Sequence, residues 1–327
     1  MYRSLVFAAL GLTFIVVVVG AYVRLQDAGL GCPDWPGCYG HWVGVPDQAH
    51  EVERAAQAYP GRSVVSHKAW KEMFHRYIAG TLGVLIFAIM ITAWRQRRAL
   101  GQSPLLPTVL VVLVALQATL GMWTVTLLLK PVVVTLHLLG GLATLGLLTW
   151  LALRQVTWSA VSVATDGLRR WAASGLAVAI CQIALGGWVS ANYAALACPD
   201  FPACHGAWLP TMDFGHGFQF ARELGMTATG APLATEALTA IHWAHRVGAL
   251  ITLVYLGTLA AALMGTRGFA RHGGALALLL VLQICLGIAN VLLSLPLPVA
   301  VAHNGGAAAL LAILIVINFA LSRARPA

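Results

Sequence analysis

The chain has 327 residues, of which 59% are hydrophobic and only 9% charged. A soluble domain carries roughly a quarter charged residues, so this composition excludes a soluble globular protein and places the chain in a lipid membrane. The net charge of +9 does not indicate nucleic acid, because the basic residues sort by topology rather than into a binding patch.

Hydropathy predicts eight spans, at residues 5–23, 69–94, 105–127, 132–153, 170–191, 239–264, 274–293 and 298–321. About 20 helical residues cross the ~30 Å hydrocarbon core. The first run, Leu5 to Val23, lacks a small-residue cleavage site and reads as a retained helix. No Arg- and Ser-rich transit segment precedes it, which points to a bacterial plasma (inner) membrane. With the N-terminus inside, the inside segments hold Arg3, Arg95, Arg97, Arg98, Arg154, Arg169, Arg170, Arg267, Arg271, Arg323 and Arg325 against Asp166 alone. The nine other basic and ten other acidic residues fall outside or at outer helix ends, so both termini are expected in the cytoplasm.

The first helix ends in Gly20-Ala-Tyr-Val-Arg24, and a loop over residues 24–68 follows, carrying Cys32-Pro-Asp-Trp-Pro-Gly-Cys38. The second span enters through Glu72-Met-Phe-His75-Arg76. The third and fourth spans form a hairpin around Lys130-Pro131, with His137 one to two turns into the fourth. The pattern then repeats at an offset of 166: Gly186-Gly-Trp-Val, Cys198-Pro-Asp-Phe-Pro-Ala-Cys204, Trp208, Gln283, Gly287 and His303 match Gly20, Cys32, Trp42, Gln117, Gly121 and His137. His245 matches His75 at an offset of 170. The predicted fold is therefore an all-α integral membrane protein of two four-helix bundles, residues 1–160 and 161–327. Both halves start inside, so the repeat is parallel, with a pseudo-twofold axis along the membrane normal.

His75, His137, His245 and His303 all fall near the outer ends of their spans, separated by 62 residues in the first half and 58 in the second. One histidine on the second helix of each half faces one on the fourth, as cofactor sites in helical bundles are built. Two opposed neutral imidazoles suit a haem iron. Gly140, Gly141, Gly305, Gly306, Gly80 and Gly248 follow these histidines and leave room for a flat macrocycle. Arg76 and Arg246, each beside its histidine, are expected to meet haem propionates. The competing reading is four histidines hydrogen-bonded between helices. His41, His50, His67, His205 and His216 read as solvated loop residues, and His272 as part of a cytoplasmic turn.

One position breaks the symmetry. Glu72 lies three residues before His75 on the same helical face, whereas the slot before His245 holds His242. A carboxylate beside a haem edge stabilises a cation or moves a proton; the alternative is an interfacial Glu paired with Arg76 or Lys71. The loop cysteines, Cys32 with Cys38 and Cys198 with Cys204, are expected to form two local disulfides on the oxidising side. A zinc site is the second reading, although the spacing differs from the usual knuckle. Cys181 and Cys285 read as small core residues.

Eight helices in two halves, Glu72-x-x-His75-Arg76, histidines opening the later helices and the paired C-x5-C loops resemble the heme A synthase family over nearly the whole chain. The resemblance implies oxidation of the C8 methyl of heme O to a formyl group, through hydroxylated intermediates with oxygen from water, supplying heme A to a terminal oxidase. It implies that His245 and His303 ligate a resident haem b that passes electrons. It also implies that His75 and His137, with Glu72, hold and oxidise heme O, and that Cys32 and Cys38 lie nearest the reacting half. Expected partners are the upstream heme O synthase and an electron acceptor. The competing functions are a quinone-linked diheme b electron-transfer protein without chemistry of its own, and a haem carrier. The parallel repeat argues against the carrier.

Overall fold

The computed structural model describes residues 1–158 and 166–324. The predicted boundary between the halves, at residue 160, and Arg325 lie outside the described residues. The described residues form eleven helices: α1 (Tyr2–Leu25), α2 (Ala49–Ala58), α3 (Ser66–Arg95), α4 (Arg97–Leu100), α5 (Leu105–Thr126), α6 (Pro131–Leu153), α7 (Asp166–Ala191), α8 (Phe214–Gly217), α9 (Thr235–Met264), α10 (Ala270–Leu292) and α11 (Leu297–Arg323). Among the described residues there is no strand beyond isolated bridges. Among the described residues eight helices are long and apolar enough to span: α1, α3, α5, α6, α7, α9, α10 and α11. Helices satisfy every internal backbone group without water, which is why such segments fold this way in lipid.

Helix boundaries follow local chemistry. Pro131 opens α6, and Pro298 sits in the first turn of α11, positions where a missing N–H costs nothing. The turns before these two helices are alike. Leu128 and Leu129 have φ of 51° and 58°, and Ser294 and Leu295 have 57° and 62°. Leu129 N–H donates to Thr124 O at 2.8 Å and Leu295 N–H to Asn290 O at 2.7 Å, so each hairpin closes on a backbone bond that holds these left-handed residues.

The chain divides into two compact units, Met1–Thr144 and Leu145–Ala327. In the first, α3 packs against both α1 and α5. In the second, α7, α9, α10 and α11 close a ring, each packed on the next. Lipid gives apolar helices little reason to associate, so close packing and interhelical bonds hold such rings together. At Gly273 of α10 a Cβ would stand 2.6 Å from Ala260 O and Met264 N, so only glycine allows α9 and α10 this approach. Leu256, Leu259, Leu263, Phe269, Leu276, Leu314 and Ile317 fill the ring. Asn318 Nδ2 donates to Ala172 O at 3.1 Å, tying α11 to α7.

Each unit carries one cysteine loop, and the two are built alike. Asp34 accepts the N–H groups of Tyr39 (2.6 Å) and Gly40 (2.8 Å). Asp200 accepts those of His205 (2.7 Å) and Gly206 (2.8 Å). These carboxylates support left-handed backbone at Tyr39 and His205, where φ is 51° and 53°. Disulfides Cys32–Cys38 and Cys198–Cys204 close the loops, as expected from the sequence. Both thiol pairs are thereby used, which removes the zinc reading.

Candidate functional site

The four singled-out histidines share one packing arrangement. His75 of α3 turns its Cε1 towards Gly20 of α1, where a Cβ would stand 3.0 Å from that atom. His137 of α6 lies against Gly121 of α5 at 3.4 Å, His245 of α9 against Gly186 of α7 at 3.1 Å, and His303 of α11 against Gly287 of α10 at 3.1 Å. Each ring therefore has a glycine seat on the preceding span; a Cβ would crowd His75, His245 and His303, and would just touch His137. His75 stands within electrostatic range of His137, and His245 within that of His303.

The hydrogen bonding of these rings differs from that of core histidines. The Nδ1 atoms of His75, His137 and His303 are buried with no partner among the described residues. Buried polar atoms left so cost about 1–3 kcal/mol each. The interhelical hydrogen-bond reading finds no support at His75 Nδ1, whereas His137 and His303 each meet the backbone of a glutamine on the preceding span, Gln117 and Gln283. His245 is held differently: Gln182 Nε2 lies 3.1 Å from its Nδ1 and donates to its backbone O at 3.0 Å. The repeat position of Gln182 in the first unit is Val16, so this contact has no counterpart there.

Glu72 is 5% exposed, and both its oxygens are occupied. Oε2 accepts Cys32 N–H at 3.0 Å, and Oε1 pairs with the Arg76 guanidinium. In the second unit His242 stands in its place: Nδ1 accepts Cys198 N–H at 3.1 Å and Nε2 faces Arg246 Nε at 3.3 Å. A carboxylate accepts both bonds, whereas a neutral imidazole accepts at one nitrogen only. The shorter Cys198 contact is therefore the bond and the Arg246 approach is weak. The interfacial pairing of Glu72 with Arg76, one of two readings from sequence, is what the geometry contains.

The two arginines beside the histidines face the cysteine loops. Arg76 Nη1 donates to Gly37 O and to Asp34 O at 2.9 Å. Arg246 donates to Ala203 O at 2.8 Å and Cys198 O at 2.7 Å. Their expected propionate contacts therefore compete with loop carbonyls that already take these donors.

Sequence reasoning missed a second pair of cations. Lys71 Nζ donates to Gln26 Oε1 at 2.7 Å and lies 5.5 Å from the centre of the Tyr22 ring. In the second unit Arg222, from the loop after α8, donates through Nη2 to Asn192 Oδ1 at 2.5 Å and lies 5.8 Å from the Trp188 ring. Arg222 is 1% exposed. Burial pulls its pKa below the ordinary arginine value, and no ion pair among the described residues offsets this. The repeat hid the pair, since the position of Lys71 is taken by Ile241.

The chain was also compared with known proteins. The model of the family described as "Cytochrome oxidase assembly protein", COX15-CtaA, matches residues 3–315. The chain belongs to the COX15-CtaA family. A relative from Shewanella oneidensis named Heme A synthase is 45% identical over 94% of this chain and 93% of its own length. Two more with that name, from a Caulobacter species and Geobacillus kaustophilus, are 33% and 28% identical over 92% and 93% of this chain, and 90% and 87% of theirs. In a COX15-CtaA member the glycine-seated histidines and the Glu72–Cys32 bond become the residues to explain.

Proposed function

We propose that this chain is a heme A synthase: an integral membrane oxidoreductase that converts the C8 methyl of heme O into a formyl group. The observation that carries this reading is family membership over residues 3–315 joined to two compact units, each with a pair of glycine-seated histidines. In net terms a methyl carbon and one water give an aldehyde, four electrons and four protons. Two successive hydroxylations by water oxygen lead to a gem-diol, which loses water.

His75 and His137 hold the substrate in the first unit. His245 and His303 fit a bis-histidine haem b, which when bound supplies a one-electron acceptor. The glycine seats support both assignments, and so do the unpartnered Nδ1 atoms of His75, His137 and His303. Gln182 orients the His245 ring from a position the first unit leaves apolar, which favours the second unit as the permanent site. Glu72 acts from one turn beyond His75. Its carboxylate holds Arg76 and the Cys32 N–H, and a negative charge there would stabilise a substrate ring that develops positive charge.

Several features bear on placement. The two disulfides belong on an oxidising face, and the arginine-rich segments at the opposite helix ends belong in the cytoplasm. This supports a bacterial inner-membrane protein with both termini inside and its porphyrin sites towards the outer face. An upstream heme O synthase and a separate electron acceptor complete the reaction. A diheme electron-transfer protein is the competing function, and the replacement of Glu72 by His242 between units speaks against two equivalent carriers.

The test is to express the chain in cells that make heme O but no heme A, in isotopically labelled water. Extracted haems should include heme A and its hydroxylated precursor, with labelled oxygen. Extracts containing heme O and haem b alone would leave electron transfer as the function.

A further inference from the structure

Arg222 is a fully buried guanidinium whose Nε and Nη1 have no partner among the described residues. Such an ion is costly unless an anion meets it. Its seat is not accidental. Trp188 and Asn192, which hold it, lie two and six residues after Gly186, the glycine under His245. Tyr22 and Gln26, which hold Lys71, lie two and six residues after Gly20, the glycine under His75. Both units thus place a cation on an aromatic ring and an amide at one distance along the helix from a histidine seat, although α3 supplies one and a loop the other. At 1.5 Å rise per residue the amide stands roughly 9 Å beyond the glycine, comparable with the reach of a propionate arm from a porphyrin centre.

We infer that Arg222 is the carboxylate anchor of the porphyrin bound in the second unit, taking a propionate on Nε and Nη1, with Lys71 as its counterpart in the first. Lipid phosphate does not suit a side chain with this burial, whereas a porphyrin carries its carboxylates inside the bundle. Arg76 and Arg246, the sequence candidates for this task, already donate to loop carbonyls. The inference rests on the assignment of His245 and His303 as haem ligands.

The test is to reconstitute the purified chain with haem b or with its dimethyl ester, whose carboxylates are capped and uncharged. Dissociation is followed by transfer to a soluble haem scavenger. Wild type should hold the diacid at least about tenfold longer than the ester, the scale of one hydrogen bond to a charged group. Arg222→Gln should lose that difference by releasing the diacid faster while leaving the ester unchanged, and Arg222→Lys should restore part of it. Equal retention of both porphyrins by wild type, or equal loss of both in Arg222→Gln, overturns the inference. A His245→Ala protein with an unchanged haem b spectrum would instead remove the ligand assignment beneath it.

Discussion

The carboxylate of Glu72 accepts the backbone N–H of Cys32 at 3.0 Å, across 40 residues of chain, and so fastens the first disulfide loop to the helix that carries His75. The second unit makes the same connection with His242 and Cys198. Position 72 therefore has a task in the fold that an imidazole can perform, and a charge that it cannot.

That separation gives a direct experiment on Glu72. Replacing Glu72 with His should keep the Cys32–Cys38 disulfide and porphyrin binding, because the second unit folds with this residue. Product formation should fall by at least about tenfold, equivalent to ~1.4 kcal/mol of lost stabilisation. Extracted haems and thiol labelling measure the two effects, and full activity in Glu72→His would leave only the fold role.

The glycine seats predict a size series. Gly186→Ala places a Cβ 3.1 Å from His245 Cε1 and should loosen resident haem modestly. Gly186→Val should displace the ring, since overpacking costs about 1–3 kcal/mol, and haem content after purification should drop severalfold. The same change at Gly257, where a Cβ meets nothing, is the control.

Arg76 predicts a change in loop protection. Arg76→Met removes its bonds to Asp34 and Gly37 and leaves the Glu72 carboxylate buried without its partner. Breaking such a pair by removing one member costs roughly 3–5 kcal/mol. A membrane-impermeant thiol reductant should open Cys32–Cys38 much faster in the variant, with Cys198–Cys204 unaffected. Equal reduction rates in variant and wild type would contradict the clamp.

The second loop predicts a pH effect. The N–H groups of Gly206 and His205 hold the Asp200 carboxyl below its usual value. A carboxylate with a lowered folded-state pKa stabilises the loop above its unfolded value near 3.9 and loses this as pH falls through the folded one. Relative to Asp200→Asn, reduction of Cys198–Cys204 by a water-soluble phosphine should therefore keep a constant ratio down to about pH 4 and gain on it below.

Much of this was legible in the sequence, for definite reasons. Uninterrupted apolar runs predict spans within a few residues: 69–94 became Ser66–Arg95, and 298–321 became Leu297–Arg323. The duplicated histidines and cysteine loops could be read because repetition exposes them. The loop partners of Glu72, Arg76 and Arg246 could not, because they depend on how a loop of some 40 residues folds back onto α3 or α9. Arg222 was hidden for a different reason. Its counterpart, Lys71, comes from another element, so no sequence repeat aligns them, and only the shared seat on Trp188–Asn192 and Tyr22–Gln26 reveals the pair. Gln182 escaped notice likewise, since Val16 occupies its repeat position.

The account divides two similar pairs of histidines into a resident haem site and a working site. The most direct test is the haem b spectrum and haem product profile of four purified single variants, His75→Ala, His137→Ala, His245→Ala and His303→Ala. The account predicts that His245→Ala and His303→Ala lose the resident haem b signal, whereas His75→Ala and His137→Ala keep it and yield no heme A. Loss of the resident signal in the first-unit variants, with retention in the second-unit ones, would contradict it.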